Sequence, residues 1–298
     1  MVNSSPAKNS VCGVVVTYNP DSTIIGNVRS VAAQVAEVIV VDNGSSESSR
    51  QLLAEIEAID NVTVMYNREN LGIATALNSG VSYAREKHYS WLATFDQDSL
   101  AASGFIESLF EALGICPFKD DVALIAPRYR DNETGLLASY GSDCNGSPYV
   151  ETNSIITSGN MVRMDVFDTV GVFDDELFID AVDHDFCLRL RKKGFRILVS
   201  CRSELAHRIG AMELHRILGR QYKSSNHPPL RRYYNARNRI TIYKRYAATF
   251  PGWVMADLYN WLREIAGIMF LERDTAVKLT AIAKGIAHGF AGRLGKLP

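Results

Sequence analysis

The first hundred residues alternate between two rhythms of apolar and polar positions. Val11 to Tyr18 is a continuous apolar run rich in β-branched residues, the pattern of a strand buried on both faces. Asn19-Pro20-Asp21-Ser22 reads as a turn and helix start, after which Ile24, Val28 and Val31 fall on one helical face. Glu37 to Val41 is a second buried strand that ends in Asp42-Asn43-Gly44-Ser45-Ser46. A helix through Leu52, Ile56 and Ile59, a strand from Val62 to Tyr66, and a helix opening at Asn70-Leu71-Gly72-Ile73-Ala74 and running to about Glu86 follow. Trp91-Leu92-Ala93-Thr94-Phe95 is a fourth buried strand, and it stops abruptly at Asp96-Gln97-Asp98-Ser99. Strands and helices joined by short connections predict an α/β fold with a parallel sheet and right-handed crossovers. Ligands of such sheets bind beyond the carboxyl ends of the strands. Tyr18, Asp42, Arg68 and Asp96 all fall at those ends or just after them.

Beyond Val122 the pattern loosens. Val122 to Pro127 is expected as a strand, and Arg128 to Val150 as a loop or small antiparallel excursion rich in Gly, Asn, Asp and Ser. Ile155 to Val162 reads as a strand interrupted at Gly159, where a backbone approaches a ligand closely. Acids at 180, 183 and 185 open a helix carrying Phe186, Leu188 and Leu190, and Arg196 to Ser200 is the last strand expected. Two helices close the chain, Trp253 to Leu271 and Asp274 to Phe290, with aromatics and regularly spaced Lys and Arg. The organisation expected is a disordered 1–10, a nucleotide-binding domain over 11–225, and a helical region over 226–298.

Composition narrows the classes. Hydrophobic residues make up 47% of the 298, ample for a core. Lys and Arg number 32 against 33 Asp and Glu, so no global charge draws the chain to nucleic acid. Cys12, Cys116, Cys144, Cys187 and Cys201 form no C-x-x-C pair and show no disulfide-like spacing, which predicts a reducing compartment and no zinc site. Residues 1–10 have no apolar core, so no signal peptide is expected. No stretch reaches the roughly 18 apolar residues that a membrane-spanning helix needs.

The chemistry concentrates at strand ends. Asp96 and Asp98 repel each other unless a cation sits between them, and a hard divalent ion takes one or two such carboxylates. An acidic turn capping the helix at Gly104-Phe105-Ile106 is the plainer alternative. Tyr18 is placed to stack on a nucleobase, or is core rim. Asp42 is placed to accept from a base N–H or ribose hydroxyl, or caps the helix after Ser45. Three acids before Phe186 exceed what capping uses, so one of them is expected as a catalytic base; Asp185 and Arg189, four apart, also suit a simple pair. His207 supplies a third metal ligand or is structural. Arg231-Arg232-Tyr233-Tyr234-Asn235-Ala236-Arg237-Asn238-Arg239 mixes cations and aromatics in a way that suits diphosphate or phospholipid head groups. The final helices lie on a membrane surface, or pack on the main domain or a second subunit. Neither a Rossmann G-x-G-x-x-G nor a Walker loop follows the early strands.

Together these residues resemble the family 2 glycosyltransferases of GT-A fold, over most of the chain. The resemblance rests on Val-Val-Thr-Tyr-Asn-Pro (15–20), Val-Val-Asp-Asn-Gly-Ser (40–45), Asn-Leu-Gly-Ile-Ala-Thr-Ala-Leu-Asn (70–78) and Phe-Asp-Gln-Asp-Ser (95–99). Asp183-His184-Asp185, His207 and Tyr-Tyr-Asn-Ala-Arg-Asn-Arg (233–239) extend it. The 70–74 run and the Phe-Asp-Gln-Asp-Ser form resemble bacterial rhamnosyltransferases that use dTDP-L-rhamnose. The resemblance implies donor-nucleotide contacts at Thr17, Tyr18, Asn19, Asp42, Arg68, Asn70, Asp96 and Gln97, with Mg or Mn at Asp96, Asp98 and His207. It implies Asp183 as the base of an inverting transfer; Val182 stands where the family carries Glu, which keeps Asp185 and Asp180 as alternatives. Gly159, Asn160, Arg208, Tyr234, Arg237 and Asn238 are expected at the diphosphate or acceptor. The acceptor implied is a saccharide or lipid-linked saccharide of bacterial surface polysaccharide (O-antigen) biosynthesis, met in the cytoplasm or at the inner membrane face, with a homo-oligomer as a further partner. A UDP-sugar-dependent relative, a nucleotidyltransferase and a non-catalytic sugar-nucleotide-binding subunit are the competing readings. A nucleotidyltransferase would carry a Gly-rich, Lys/Arg-containing loop where Thr17-Tyr18-Asn19-Pro20 stands.

Overall fold

The computed structural model describes residues 8–131, 137, 144–207, 213–217, 220–224 and 226–297. The chain divides into two compact units, one of residues 1–175 with 186–208, the other of residues 176–185 with 209–298. The division falls at 208/209 rather than at the expected 225/226, and ten residues from the middle of the chain belong with the helical unit.

The first unit begins β1 (Val11–Thr17), α1 (Thr23–Ala32), β2 (Glu37–Asp42), α2 (Arg50–Glu57), β3 (Val62–Tyr66), α3 (Ile73–Glu86) and β4 (Trp91–Asp96). These are the elements the apolar runs anticipate, within a residue or two at their ends. It continues with β5 (Leu100–Ala101), α4 (Phe105–Gly114), β6 (Val122–Asp131), β7 (Tyr149–Glu151), β8 (Asn160–Arg163), α5 (Val166–Val170), α6 (Val182–Lys192) and β9 (Arg196–His207). The first turn of α6 lies in the second unit. The sheet runs β3-β2-β1-β4-β8-β6-β9-β5, with β7 added on β9. β3, β2, β1 and β4 are parallel, as expected; beyond β4 the pairing is mixed, because β8 runs antiparallel to both β4 and β6.

Helices cover both faces of the parallel half. A Cβ on Gly13 would touch Val31 of α1, whereas the side chain of its neighbour Val14 meets Gly80 of α3. Consecutive strand residues point to opposite faces, so α1 and α3 lie on opposite sides of β1. A Cβ on Gly80 would sit 2.4 Å from Val14, which explains why the tightest helix-to-sheet contact carries glycine.

Several expectations are corrected. Ile155 and Ile156 are not strand; only Asn160–Arg163 pairs, and the preceding turn is held by the Tyr129 hydroxyl donating to the Ile156 and Ser158 carbonyls. The last expected strand extends to His207 and is followed by a hairpin, β10 (Glu213–Ile217) with β11 (Arg220–Ser224). Cys144 and Cys201, 57 residues apart, form a disulfide, contrary to the reading of unpaired cysteines, while Cys12, Cys116 and Cys187 are buried thiols. The pairing joins the residues before β7 to β9, a proximity that sequence spacing does not encode. Of the frayed 1–10, residues 1–7 lie outside the described residues and Lys8–Ser10 form a short 3-10 turn.

The second unit contains β10 and β11, α7 (Pro229–Tyr246), α8 (Pro251–Leu271) and α9 (Thr275–Phe290). Ala236, Ile240, Trp261, Ile268 and Ile282 form its core. α7 and α9 approach closely because Gly285 and Gly289 face α7; a Cβ there would lie 2.4 Å from the Tyr233 carbonyl and 2.6 Å from that of Arg237. Among the described residues no helix is long and apolar enough to cross a membrane.

Candidate active site

The carboxyl ends of β1, β2 and β4 lie side by side, with Thr17 opposite Asp42 and Val16 opposite Asp96. Tyr18 follows β1 and is 47% exposed, which leaves its ring accessible for stacking. Gln97 ties this edge together. Its side-chain oxygen accepts from the Thr17 hydroxyl at 2.8 Å and from the Tyr18 N–H at 2.9 Å, and its carbonyl accepts from Asn27 at 2.8 Å. Gln97 therefore positions Tyr18, rather than reaching outward itself.

Asp42 is buried, and both of its oxygens accept from Ser45, one from the N–H at 3.2 Å and the other from the hydroxyl. The turn-holding role is thus real. A carboxylate has about four acceptor positions, so capacity for a base N–H or ribose hydroxyl is left. Asn19, at φ 47°, donates its N–H to the Ser45 hydroxyl and accepts from the Ser46 N–H, which locks the β1 and β2 loops together.

Asn43 is the organising residue that the sequence reading missed. It is buried, accepts from Asn67 and from the Leu71 N–H, and donates to Asn70 and to the Gly72 carbonyl. Its signal was present, an Asn-Gly pair directly after a buried strand. Gly44, at φ 79°, lets this loop lie on the next: a Cβ would fall 2.4 to 2.7 Å from the Glu69 and Asn70 backbone. Asn70 is accordingly a turn residue, its oxygen also holding the Gly72 N–H at 2.9 Å, while Arg68 stands exposed.

Asp96 and Asp98 are half-buried at the end of β4. Ser158 accepts the Asp96 N–H at 3.1 Å and bonds the Ser99 hydroxyl at 2.6 Å, fixing the backbone from which both carboxylates project. Two hard oxygen donors one residue apart suit a hard divalent cation. Among the described residues no three His, Cys, Asp or Glu side chains gather to hold a metal. The side chain of His207, and Arg208 entirely, lie outside the described residues.

Gly159 and Asn160 are revised. Gly159 is buried at φ 77°, and a Cβ would meet Leu205 at 2.7 Å and Pro127 at 2.9 Å, so packing rather than a ligand demands glycine. Asn160 is buried, with its amide on the Ile156 carbonyl and its oxygen accepting from Tyr129.

In the second unit the three acids separate by environment. Asp185 is buried and accepts from Arg245 at 3.0 Å and the Tyr246 hydroxyl at 2.9 Å, so it is structural. Arg189, four residues on, donates to the carbonyls of Val170, Gly171 and Val172. Asp180 pairs with Arg231 at 3.2 Å. Asp183, half-buried at the start of α6, accepts the N–H of His184 at 2.8 Å and has the His184 ring 4.0 Å away.

Tyr234, Arg237 and Asn238 are corrected as diphosphate or acceptor groups, since all three are at most 2% exposed. They hold the segment before Asp183. Asn238 donates to the carbonyls of Leu177, Ile179 and Asp180 at 2.7, 2.7 and 2.9 Å, and Arg237 to those of Glu176, Leu177 and Gly295. Tyr234 stacks on Phe178 with ring centroids 5.0 Å apart. Phe178, Asp180 and Ala181 are all left-handed, at φ 62°, 64° and 62°, a conformation that non-glycine residues adopt at a cost. Arg232 and Arg239 are likewise consumed, by Glu264 and Glu272 and by Asp257 and Glu264.

Residues 12–171 match the family model described as Glycosyl transferase family 2. The dTDP-rhamnosyl transferase RfbF of Shigella flexneri is 31% identical over 256 residues, 80% of this chain and 81% of that protein. The galactofuranosyltransferase GlfT1 of Mycolicibacterium smegmatis is 26% identical over 285 residues, 89% of this chain and 92% of that protein. Among solved structures, GalNAc-T7 with UDP, GalNAc and Mn2+ superposes with a TM-score of 0.62 at 16% identity, covering 82% of this chain and 49% of that one. The loops that follow β1, β2 and β4 all fall inside the matched segment. On the extent of these matches the chain belongs to glycosyl transferase family 2, and it is a glycosyltransferase of GT-A fold.

Proposed function

We propose that the chain moves L-rhamnose from dTDP-L-rhamnose to a hydroxyl of a saccharide or lipid-linked saccharide acceptor, with inversion, in bacterial surface polysaccharide biosynthesis. The observation that carries this reading is the 31% identity across four-fifths of the chain to a protein described as a dTDP-rhamnosyl transferase. Galactofuranosyl transfer is the second reading, favoured by the Mycolicibacterium relative. In either case the Tyr18 ring stacks on the base and Asp42 accepts its N–H. Asp96 and Asp98, with His207 as a third ligand, hold Mg or Mn, which when bound neutralises charge growing on the departing nucleoside diphosphate.

Asp183 accepts the proton of the acceptor hydroxyl while the acceptor oxygen bonds to the anomeric carbon and the bond to the diphosphate oxygen breaks. The pairing of Asp185 with Arg245 and of Asp180 with Arg231 supports Asp183 for this role, because those two carboxylates are already engaged in holding the unit together. Titration calorimetry with dTDP, UDP and GDP, with and without Mg²⁺ or Mn²⁺, tests the donor. Metal-dependent binding of dTDP is expected; preference for UDP discards rhamnose. Asp183→Asn is expected to abolish nucleoside diphosphate release with dTDP binding retained, and wild-type turnover in that variant excludes Asp183 as the base.

A further inference from the structure

The charges of α8 are segregated. Both acids of α8, and Glu272 just after it, are turned inward: Asp257 to Arg239 and Tyr243, Glu264 to Arg232 and Arg239, and Glu272 to Arg232 and Lys278. Residues 251–297 leave Arg263, Arg273, Lys284 and Arg293 exposed, with Lys296 near the end of the chain, against Asp274 there and Glu176 elsewhere in the unit as exposed acids. The same stretch exposes large apolar side chains in a pattern. Met255, Tyr259, Leu262 and Met269, with Ala266 between the last two, recur at alternating steps of four and three residues and so share one stripe of α8. Each of the four large ones is more than half exposed, and Phe270 at the end of the stripe is 80% exposed. Isolated exposed apolar residues need no explanation, but a contiguous helical stripe does.

We infer that α8 lies on an anionic phospholipid surface, with this stripe entering the head-group boundary and exposed Lys and Arg of the same stretch, Arg263 and Arg273 first among them, engaging phosphates. Apolar residues on one face with cations beside them are what an interfacial helix requires. Arg263 at the edge of the stripe, its guanidinium 5.8 Å from the Tyr259 ring, suits a side chain that buries its stem and extends its charge to a phosphate. A second copy of the chain is the competing occupant, and the charge argues against it, since a two-fold pairing sets cation against cation with the acids already spent inside. No helix among the described residues is apolar enough to span, so the contact is one of lying on the surface. This inference does not depend on which nucleotide sugar is used.

The test is co-sedimentation of the full chain with vesicles of phosphatidylcholine plus phosphatidylglycerol, against pure phosphatidylcholine. Binding to the anionic vesicles is expected, weakened by salt, and at least about tenfold weaker to the neutral ones. The triple variant Tyr259→Ser, Leu262→Ser, Phe270→Ser is expected to lose binding about tenfold or more at an unchanged melting temperature, since these side chains are exposed. Arg273→Glu with Arg293→Glu is expected to remove the preference for anionic vesicles. Equal binding to both vesicle types, or none, overturns the proposal. So does a dimer in light scattering that the triple variant converts to monomer, because the stripe then belongs to a second copy.

Discussion

Replacing Asn238 by Ala isolates the support of the segment before Asp183. The amide is fully buried; its two N–H groups serve three carbonyls, and its oxygen accepts from Arg237 Nε at 2.9 Å. The Leu177 carbonyl keeps Arg237 as a donor after the change, but those of Ile179 and Asp180 lose Asn238. Two backbone bonds at about 1 kcal/mol each, with the charge-assisted bond to Arg237 at about 1.5–3 kcal/mol, give a gross loss of about 4 kcal/mol. Relaxation of a left-handed residue returns about 1–2 kcal/mol, so a net local loss of roughly 2–3 kcal/mol is expected. Hydrogen exchange resolved over residues 176–182 reads this directly, as protection lowered about 30- to 100-fold, with α9 unchanged. Nucleoside diphosphate release should fall about 100-fold, the scale on which a displaced catalytic group is felt. Asn238→Asp should be no better, because a carboxylate offers no donor to the carbonyls. If Asn238→Ala exchanged over 176–182 like wild type, the reading of Asn238 as the clamp would be wrong.

Three other outcomes follow from the same geometry. Gly44→Ala sets a Cβ within 2.4 to 2.7 Å of the Glu69 and Asn70 backbone at φ 79°; dTDP binding by calorimetry should weaken at least about tenfold while the α7–α9 unit keeps its exchange protection. Ala181→Gly relieves a left-handed residue at φ 62° and should leave the melting temperature level or higher, whereas Ala256→Gly on the exposed side of α8 should cost about 1 kcal/mol; equal losses would refute strain at 181. His227 has its pKa pushed down to about 4, first by burial and then by Arg231, from an ordinary 6.5. Between those values the unfolded chain binds a proton that the folded chain refuses, so this contribution is complete above pH 6.5 and is lost as pH falls toward 4. Melting curves from pH 7 to pH 5 should decline less steeply in His227→Gln, by about one bound proton.

The four parallel strands were legible because burial on both faces writes a continuous apolar run, and the strand-end rule put Tyr18, Asp42 and Asp96 at one edge of the sheet, where the register of β1, β2 and β4 has them. What was illegible depended on partners distant in sequence. The cations of 231–239 look like ligand-binding groups until Asp257, Glu264 and Glu272 are seen against them. Gly159 looks like a ligand contact until Leu205 and Pro127 close over it. Ile155 and Ile156 have strand chemistry, but their carbonyl environment is set by Tyr129 and Cys187 from other parts of the unit. The Cys144–Cys201 bond joins residues 57 apart.

The acids at 180, 183 and 185 show why composition alone does not assign a base. All three are carboxylates near one helix start, and the dipole there favours each of them. Their roles diverge through what α7 presents: Arg245 and Tyr246 consume Asp185, and Arg231 engages Asp180. The same helix, through Arg237 and Asn238, holds Phe178, Asp180 and Ala181 in a conformation that each would leave if released. Left-handed non-glycine residues cost about 1–3 kcal/mol each and persist where the surroundings over-determine them. Three within four positions, two residues ahead of Asp183, form a rigid support that stability alone does not call for. With Asp183 as the proposed base, the Tyr-Tyr-Asn-Ala-Arg-Asn-Arg run acts through the backbone before it, and its substitutions should alter turnover more than donor affinity.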